Sequence, residues 1–379
     1  MITERMRQGL NRLKEAMTGR PDRVPVVAQI GAHTTRLTGL PVRDFLADPE
    51  LFIRTHLQVS EYYHLDAPSF FYDLYNIEAE ALGQPLVWLE GEFPEIKAGD
   101  MLIKRPADLD RLRPPRPGRD GRMPFVVEIY KRMADLGLPV QFRFCAPFSL
   151  AGNVRGLSDL VMDMMVRPEF AHRLFTFLTD EVLAPFVTAL RRECGADYPA
   201  LGADALASLP VTNLKILEEY ALGYAERLGR LVGGIQVRGW WGEQYLQDPD
   251  RLLELKRKGH PTCVLGLDPD VDRIGPEKFK RFAEKYDSPL MLGVDCALIA
   301  QGPLKAIVER VGRYVRAGGR GGRFILFLNE VPPGCPPEHV HAAVQAAEYY
   351  SRIDPGPPAG PFEPRSRPEF RAWAAGEVR

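Results

Sequence analysis

The sequence has no surplus of charge of either sign: 49 lysines and arginines stand against 50 aspartates and glutamates. Nothing is left over to neutralise a phosphate backbone or an anionic bilayer, which argues against nucleic-acid and membrane partners. Long apolar runs are also missing. The longest, such as "RFILFLN" around Phe324, fall far short of the roughly 20 residues a membrane span needs. The opening "MITERMRQGLNRLKEAM" has the spacing of an amphipathic helix and lacks the apolar centre of a secretory signal, so a cytoplasmic location is expected. Cysteine is scarce. Cys145, Cys194, Cys263, Cys296 and Cys335 are odd in number and include no CxxC pair, which argues against a disulfide framework. There is no GxSxG elbow, P-loop or HExxH, and no internal repeat. "AGGRGGRF" leads into a strand rather than opening a helix, so it is a turn and not a phosphate cradle.

What is present is alternation. Eight short β-rich runs are separated by segments with apolar residues three and four apart, the pattern of a parallel sheet with crossover helices. The runs begin at Val24, Ala67, Pro139, Tyr198, Gly234, Thr262, Pro289 and Arg323. Eight is the number of a closed (β/α)8 TIM barrel. The expected fold is therefore α/β: one barrel over residues 1–351, with an N-terminal helix, an insertion after strand two from Leu82 to Arg122, and a flexible tail over 352–379. In "DPELFIRTHLQVSEYY", Asp48 suits the cap and Pro49 the first helical position.

In a barrel, function gathers where strands end. That rule selects His33, Asp73, Tyr75, Cys145, Asp204, Arg238, Trp240, Asp268, Asp270, Asp295, Cys296, Asn329 and Glu330. Aspartates in such places also serve as N-caps, and Asp270 and Asp272 fit that role best. Asp73 lies among aromatics in "FFYDLYNIEAEALG", where an ionised carboxylate needs donors to justify its burial. In "GGIQVRGWWGEQ", strand alternation sends Gln236, Arg238 and Trp240 to one face. A guanidinium beside an indole there can clamp a carboxylate or stack on a planar ligand; an arginine merely packed on a tryptophan is the structural alternative. His260, Cys263 and Cys296 could be imagined as zinc ligands, but His260 precedes its strand and so belongs at the opposite end of the barrel. His339 and His341 sit two apart on a helix and diverge. His56 and His172 read as ordinary helix residues.

Several segments together, "RVPVVAQIGAH", "FYDLYNIEAEALGQPL", "APFSLAGNVRGLSDLVMDMM", "GADYPALGADALASLP" and "LMLGVDCALIAQGPLKAIVERV", resemble the uroporphyrinogen decarboxylase superfamily, which includes cobalamin-dependent methyltransferases. The resemblance runs from about Arg5 to Ser351 and implies the barrel. Similarity to the decarboxylases implies an arginine-rich loop after strand one, an aspartate after strand two, a tyrosine after strand three and a histidine after strand eight. Asp73 alone matches. "QIGAHTTR" offers only Arg36, Asn153 falls near the tyrosine position, and strand eight ends in Asn329 and Glu330. Similarity to the zinc methyltransferases implies a His-x-Cys pair at strand five and a later cysteine. Here Gln236 and Arg238 hold the pair's positions and Glu330 the third, and arginine does not bind zinc.

The expectation is an enzyme that transfers a methyl group between a small methylated substrate, such as an aromatic methyl ether bearing a carboxylate, and a corrinoid on a partner protein. Asp73, Glu330 and His33 would activate or protonate the leaving group. Tyr75, Gln236, Arg238, Trp240, Asp268, Asp295 and Asn329 would shape the substrate pocket, with Glu330 and Cys296 the metal candidates should zinc be used. Pairing into homodimers is implied by the same resemblance. Decarboxylation of a porphyrinogen or another aromatic acid is the alternative reaction, and a non-catalytic corrinoid- or ligand-binding barrel the alternative class.

Overall fold

The computed structural model describes residues 2–351 and 362–376. The protein is α/β with parallel sheets. Its strands are β1 (Val26–Ala28), β2 (Leu86–Val87), β3 (Glu95–Ile96), β4 (Phe142–Cys145), β5 (Ala200–Ala203), β6 (Gln236–Arg238), β7 (Val264–Leu267), β8 (Leu290–Val294) and β9 (Phe324–Leu328). The chain divides into two compact units, each discontinuous in sequence. The first comprises residues 1–45, 51–72 and 262–379; the second comprises 46–50 and 73–261.

The first unit carries a parallel sheet in the order β1-β9-β8-β7, with Val26 opposite Leu326 and Leu292 opposite both Gly266 and Leu326. These strands are short and apolar without interruption, as parallel strands covered on both faces must be. One face gathers Leu265, Leu267 and Phe327 with Val27 and Met291. Against the other lie helices such as Pro276–Lys285. Gly266 lets that layer approach: a methyl group there would stand 2.8 Å from both Phe279 and Val271.

The run from Ala67 does not form the expected second strand. Its backbone is satisfied locally by side chains: Ser69 N–H donates to Ser60 Oγ at 3.2 Å, Ser69 Oγ accepts from Ile30 N–H at 3.2 Å, and His56 Nε2 lies 3.2 Å from Phe71 O. Entry to this stretch is fixed by Asp66, whose fully buried carboxylate takes Arg12, Arg23 and the Val26 amide at 2.6–2.9 Å. Seven of the eight expected runs are thus strands of parallel sheets.

The second unit carries the parallel sheet β4-β5-β6, with Cys145 opposite Ala203 and Ala203 opposite Arg238. The expected insertion has structure of its own: an antiparallel β2-β3 pair and a 3-10 turn over Pro106–Arg111. Arg155 of the helix Pro147–Arg155 anchors it through Ile103 O and Lys104 O, both at 3.2 Å, while holding Asp163 at 2.8 Å.

No helix among the described residues is long and apolar enough to cross a membrane. Of the tail expected to be flexible, residues 352–361 and 377–379 lie outside the described residues. Phe370–Ala374 is a helix, with the Phe370 and Trp373 rings 5.2 and 5.3 Å from that of Tyr62.

Candidate functional site at the ends of three parallel strands

In the second unit, polar groups gather at the carboxyl ends of β4, β5 and β6. Cys145 ends β4 and Arg238 ends β6; Asp204 follows β5. Tyr75 and Glu78 join them from the helix Ile77–Leu82 and the turn before it. The Tyr75 hydroxyl lies within electrostatic reach of Cys145, Asp204 and Arg238, and the Ala205 amide faces its oxygen. Burial raises the hydroxyl above its ordinary pKa, so it stays a proton-bearing donor at neutral pH. Asn153, at the position where the decarboxylases would carry a tyrosine, donates to Tyr75 O at 2.6 Å and fixes this turn.

Asp204 is fully buried. One oxygen accepts from Ser149 N–H at 2.8 Å, in the first turn of the helix Pro147–Arg155, where the helix dipole favours negative charge. The other accepts from Trp240 Nε1 at 3.1 Å. Burial nevertheless outweighs these donors and pushes the carboxyl up to about 6.

Glu78 is the more strongly altered group. Its side chain is fully buried, Oε1 accepts from Cys145 N–H at 3.2 Å, and Oε2 has no hydrogen-bond partner among the described residues. Burial, reinforced by Asp73, raises it to about 8. At neutral pH this is an acid that holds its proton. Burial beside Glu78 and Asp204 pushes the Cys145 thiol well up, so it is a poor nucleophile.

Several expected site residues have structural roles. Asp73 is clamped by Arg122 through two bonds of 2.6 and 2.7 Å and accepts from Asn76 Nδ2 at 3.1 Å. Arg122 also holds Glu80 at 2.7 Å and lies 5.1 Å over the Trp88 ring. Burial raises Asp73 and the guanidinium opposes it; both oxygens accept from protein donors. Trp240 does not share an exposed face with Arg238. β6 stops at Arg238, Gly239 takes φ 108°, and the period-two alternation breaks there. The indole consequently enters the interior with no exposed surface and supports Asp204. Gln236 and Arg238 remain half-buried on β6.

The remaining expected residues lie in the first unit. Asp268 is filled by Arg310 at 2.7 Å, the Tyr314 hydroxyl, and the Asp295 and Asp272 amides at 2.9 and 3.2 Å. Asp295 caps the helix Cys296–Gln301, accepting from Leu298 N–H at 2.9 Å. Asp272, an expected cap, instead pairs with Arg310 at 2.8 Å and with Arg313. His33 is buried with Nε2 2.7 Å from the Tyr63 hydroxyl, and burial lowers it to about 4. A neutral imidazole of that kind cannot protonate a leaving group near pH 7. Asn329 is half-buried and Glu330 exposed after β9, and burial, reinforced by Asp295 and Glu330, raises the Cys296 thiol.

Zinc does not fit these donors. Arg238 cannot ligate, and no cluster of three histidine, cysteine, aspartate or glutamate side chains suited to a metal occurs among the described residues. Sequence reading passed over Glu78 and Arg122. The signal for Glu78 was an acid between Ile77 and Ala79, both on the buried face of a short helix.

The chain is 27% identical over 324 residues to a uroporphyrinogen decarboxylase of Methylococcus capsulatus, covering 80% of this chain and 85% of that protein. It is 26% identical over 260 residues to a methylated-thiol–coenzyme M methyltransferase of Methanosarcina mazei, covering 66% of each. Its fold matches that of a methyltransferase structure from Methanosarcina mazei with TM-score 0.70 at 18% identity, over 89% of this chain and 98% of that one. These relatives are enzymes. The family model described as uroporphyrinogen decarboxylase (URO-D) matches residues 9–350, and the chain belongs to that family.

Proposed function

We propose that the protein transfers a methyl group from a small methylated substrate to a corrinoid carried by a partner protein. The observation that carries this reading is the pair of buried carboxyls, Glu78 at about 8 and Asp204 at about 6, beside Tyr75 and Arg238. Breaking a methyl–oxygen bond leaves an electron pair on oxygen, and an acid that keeps its proton at neutral pH can neutralise it. Glu78 would pass that proton to the oxygen and be left as the carboxylate, Tyr75 would donate a hydrogen bond to the same oxygen, and Arg238 would hold a carboxylate on the substrate. The corrinoid would supply the nucleophilic methyl acceptor.

Porphyrinogen decarboxylation is supported by relatives of that name but disfavoured by one observation. Asp73, the single matched residue of that pattern, already has both oxygens engaged by Arg122, so pyrrole N–H groups would have to displace a bidentate arginine. Incubating the protein with carboxylated aryl methyl ethers and cob(I)alamin should give the absorbance of methylcobalamin, and Glu78→Gln should suppress it. Coproporphyrinogen formed from uroporphyrinogen, with no methylcobalamin across the ethers, would establish the other reaction.

A further inference from the structure

The first unit contains a cavity of about 580 Å³, walled partly by residues 364–371. That volume lies within the range of small-molecule sites, about 300–1,000 Å³. Tyr62, Phe370 and His341 give it an aromatic lining. Tyr62 meets His341 at 4.6 Å and Phe370 at 5.2 Å, and its hydroxyl donates to Pro368 O at 2.9 Å, which fixes that wall. His341 is 94% buried, and its Nε2 has no hydrogen-bond partner among the described residues. Burial, with Arg367 and His64 nearby, holds this imidazole neutral, so Nε2 can either donate or accept.

The cavity's charges are unequal. Arg365, Arg367 and Arg371 line it against Glu338 and Glu369. All five are exposed, and none of the three guanidiniums has an ion pair among the described residues. Three planar cations around an aromatic wall suit a flat anion whose ring stacks while its charge meets a guanidinium fork.

We propose that this cavity binds a small aromatic carboxylate, held by Arg367 and Arg371 at the mouth, with the ring against Tyr62 and Phe370 and beside the His341 ring. None of these residues takes part in the proposed methyl transfer, so the two readings stand or fall separately. The test titrates the full-length protein with benzoate, benzyl alcohol and inorganic phosphate, following the His341 ring resonances by NMR. Benzoate should shift them saturably, and more tightly than phosphate. Benzyl alcohol should bind at least fivefold more weakly. Arg367→Ala/Arg371→Ala should weaken benzoate at least fivefold, while Lys97→Ala, an exposed cation in the second unit, should leave it unchanged. Absence of a saturable shift, equal binding of benzyl alcohol, tighter binding of phosphate, or an undiminished double variant would each overturn the proposal.

Discussion

Glu78 has the largest consequence of any single residue, because its carboxyl is kept from both water and a cation. Its folded value of about 8 exceeds the ordinary 4.5, so between those pH values the folded chain holds a proton that the unfolded chain has released. Its contribution to stability is therefore complete below about pH 4.5 and is lost as pH rises through about 8. Glu78→Gln should remove that dependence: urea midpoints at pH 5 and pH 9 should differ less in the variant than in the wild type. Under the proposed mechanism, wild-type turnover should also fall as pH passes about 8. The variant should lose that limb along with roughly 100-fold or more of kcat. The opposite case is Asp73, where the charge is compensated. Arg122→Ala leaves a carboxylate that is 6% exposed without its bidentate partner. About 3 kcal/mol of destabilisation is expected, read as a lowered urea midpoint. Asp73→Leu/Arg122→Met should recover most of it, since the buried carboxylate goes with its partner and only Glu80, which reaches solvent, loses an arginine.

At the scale of elements, strand ends were legible in sequence and side-chain directions beyond them were not. The apolar runs located seven strands because parallel strands must be apolar along their length, and the Asp48 cap was read correctly: Asp48 Oδ1 accepts from Glu50 N–H at 2.9 Å. The rule that chemistry collects at strand ends selects Asp204, Arg238 and Cys145, which do stand at the ends of β5, β6 and β4, and Tyr75, which joins them from a run that forms no strand. It could not distinguish a side chain facing a ligand from one filled by its own protein, because Arg122, which occupies Asp73, lies 49 residues away, and Arg310 and Tyr314, which occupy Asp268, lie 42 and 46 away. Trp240 was misplaced for a local reason, the break in alternation at Gly239. Its position can be tested directly. Trp240→Phe keeps most of the buried ring but removes the donor to Asp204, at a cost of about 1 kcal/mol. With one opposing donor gone, burial should lift the Asp204 carboxyl further above 6. Carboxyl carbon NMR titration should show that rise, and an unchanged titration would mean the indole does not support Asp204.

For the molecule as a whole, connectivity separates the two units in a way that folding kinetics can read. The second unit is drawn almost entirely from one stretch, residues 73–261, and its sheet joins β4, β5 and β6 in sequence order. The first unit must pair β1 with β9, Val26 with Leu326, across nearly the whole chain. Closing so long a loop costs conformational entropy before any contact offsets it, and sheets dominated by distant pairings form slowly. The barrel expected from the alternation implies strands paired in sequence order with the last beside the first, and the orders β4-β5-β6 and β7-β8-β9-β1 agree with that; hydrophobic period alone reports only local geometry. Pulsed hydrogen exchange during refolding should therefore protect the amides of 142–145, 200–203 and 236–238 before those of 26–28 and 324–328. Simultaneous protection of both sets would mean that β1–β9 closure is not the slow step and that the chain condenses around a nucleus spanning both sheets.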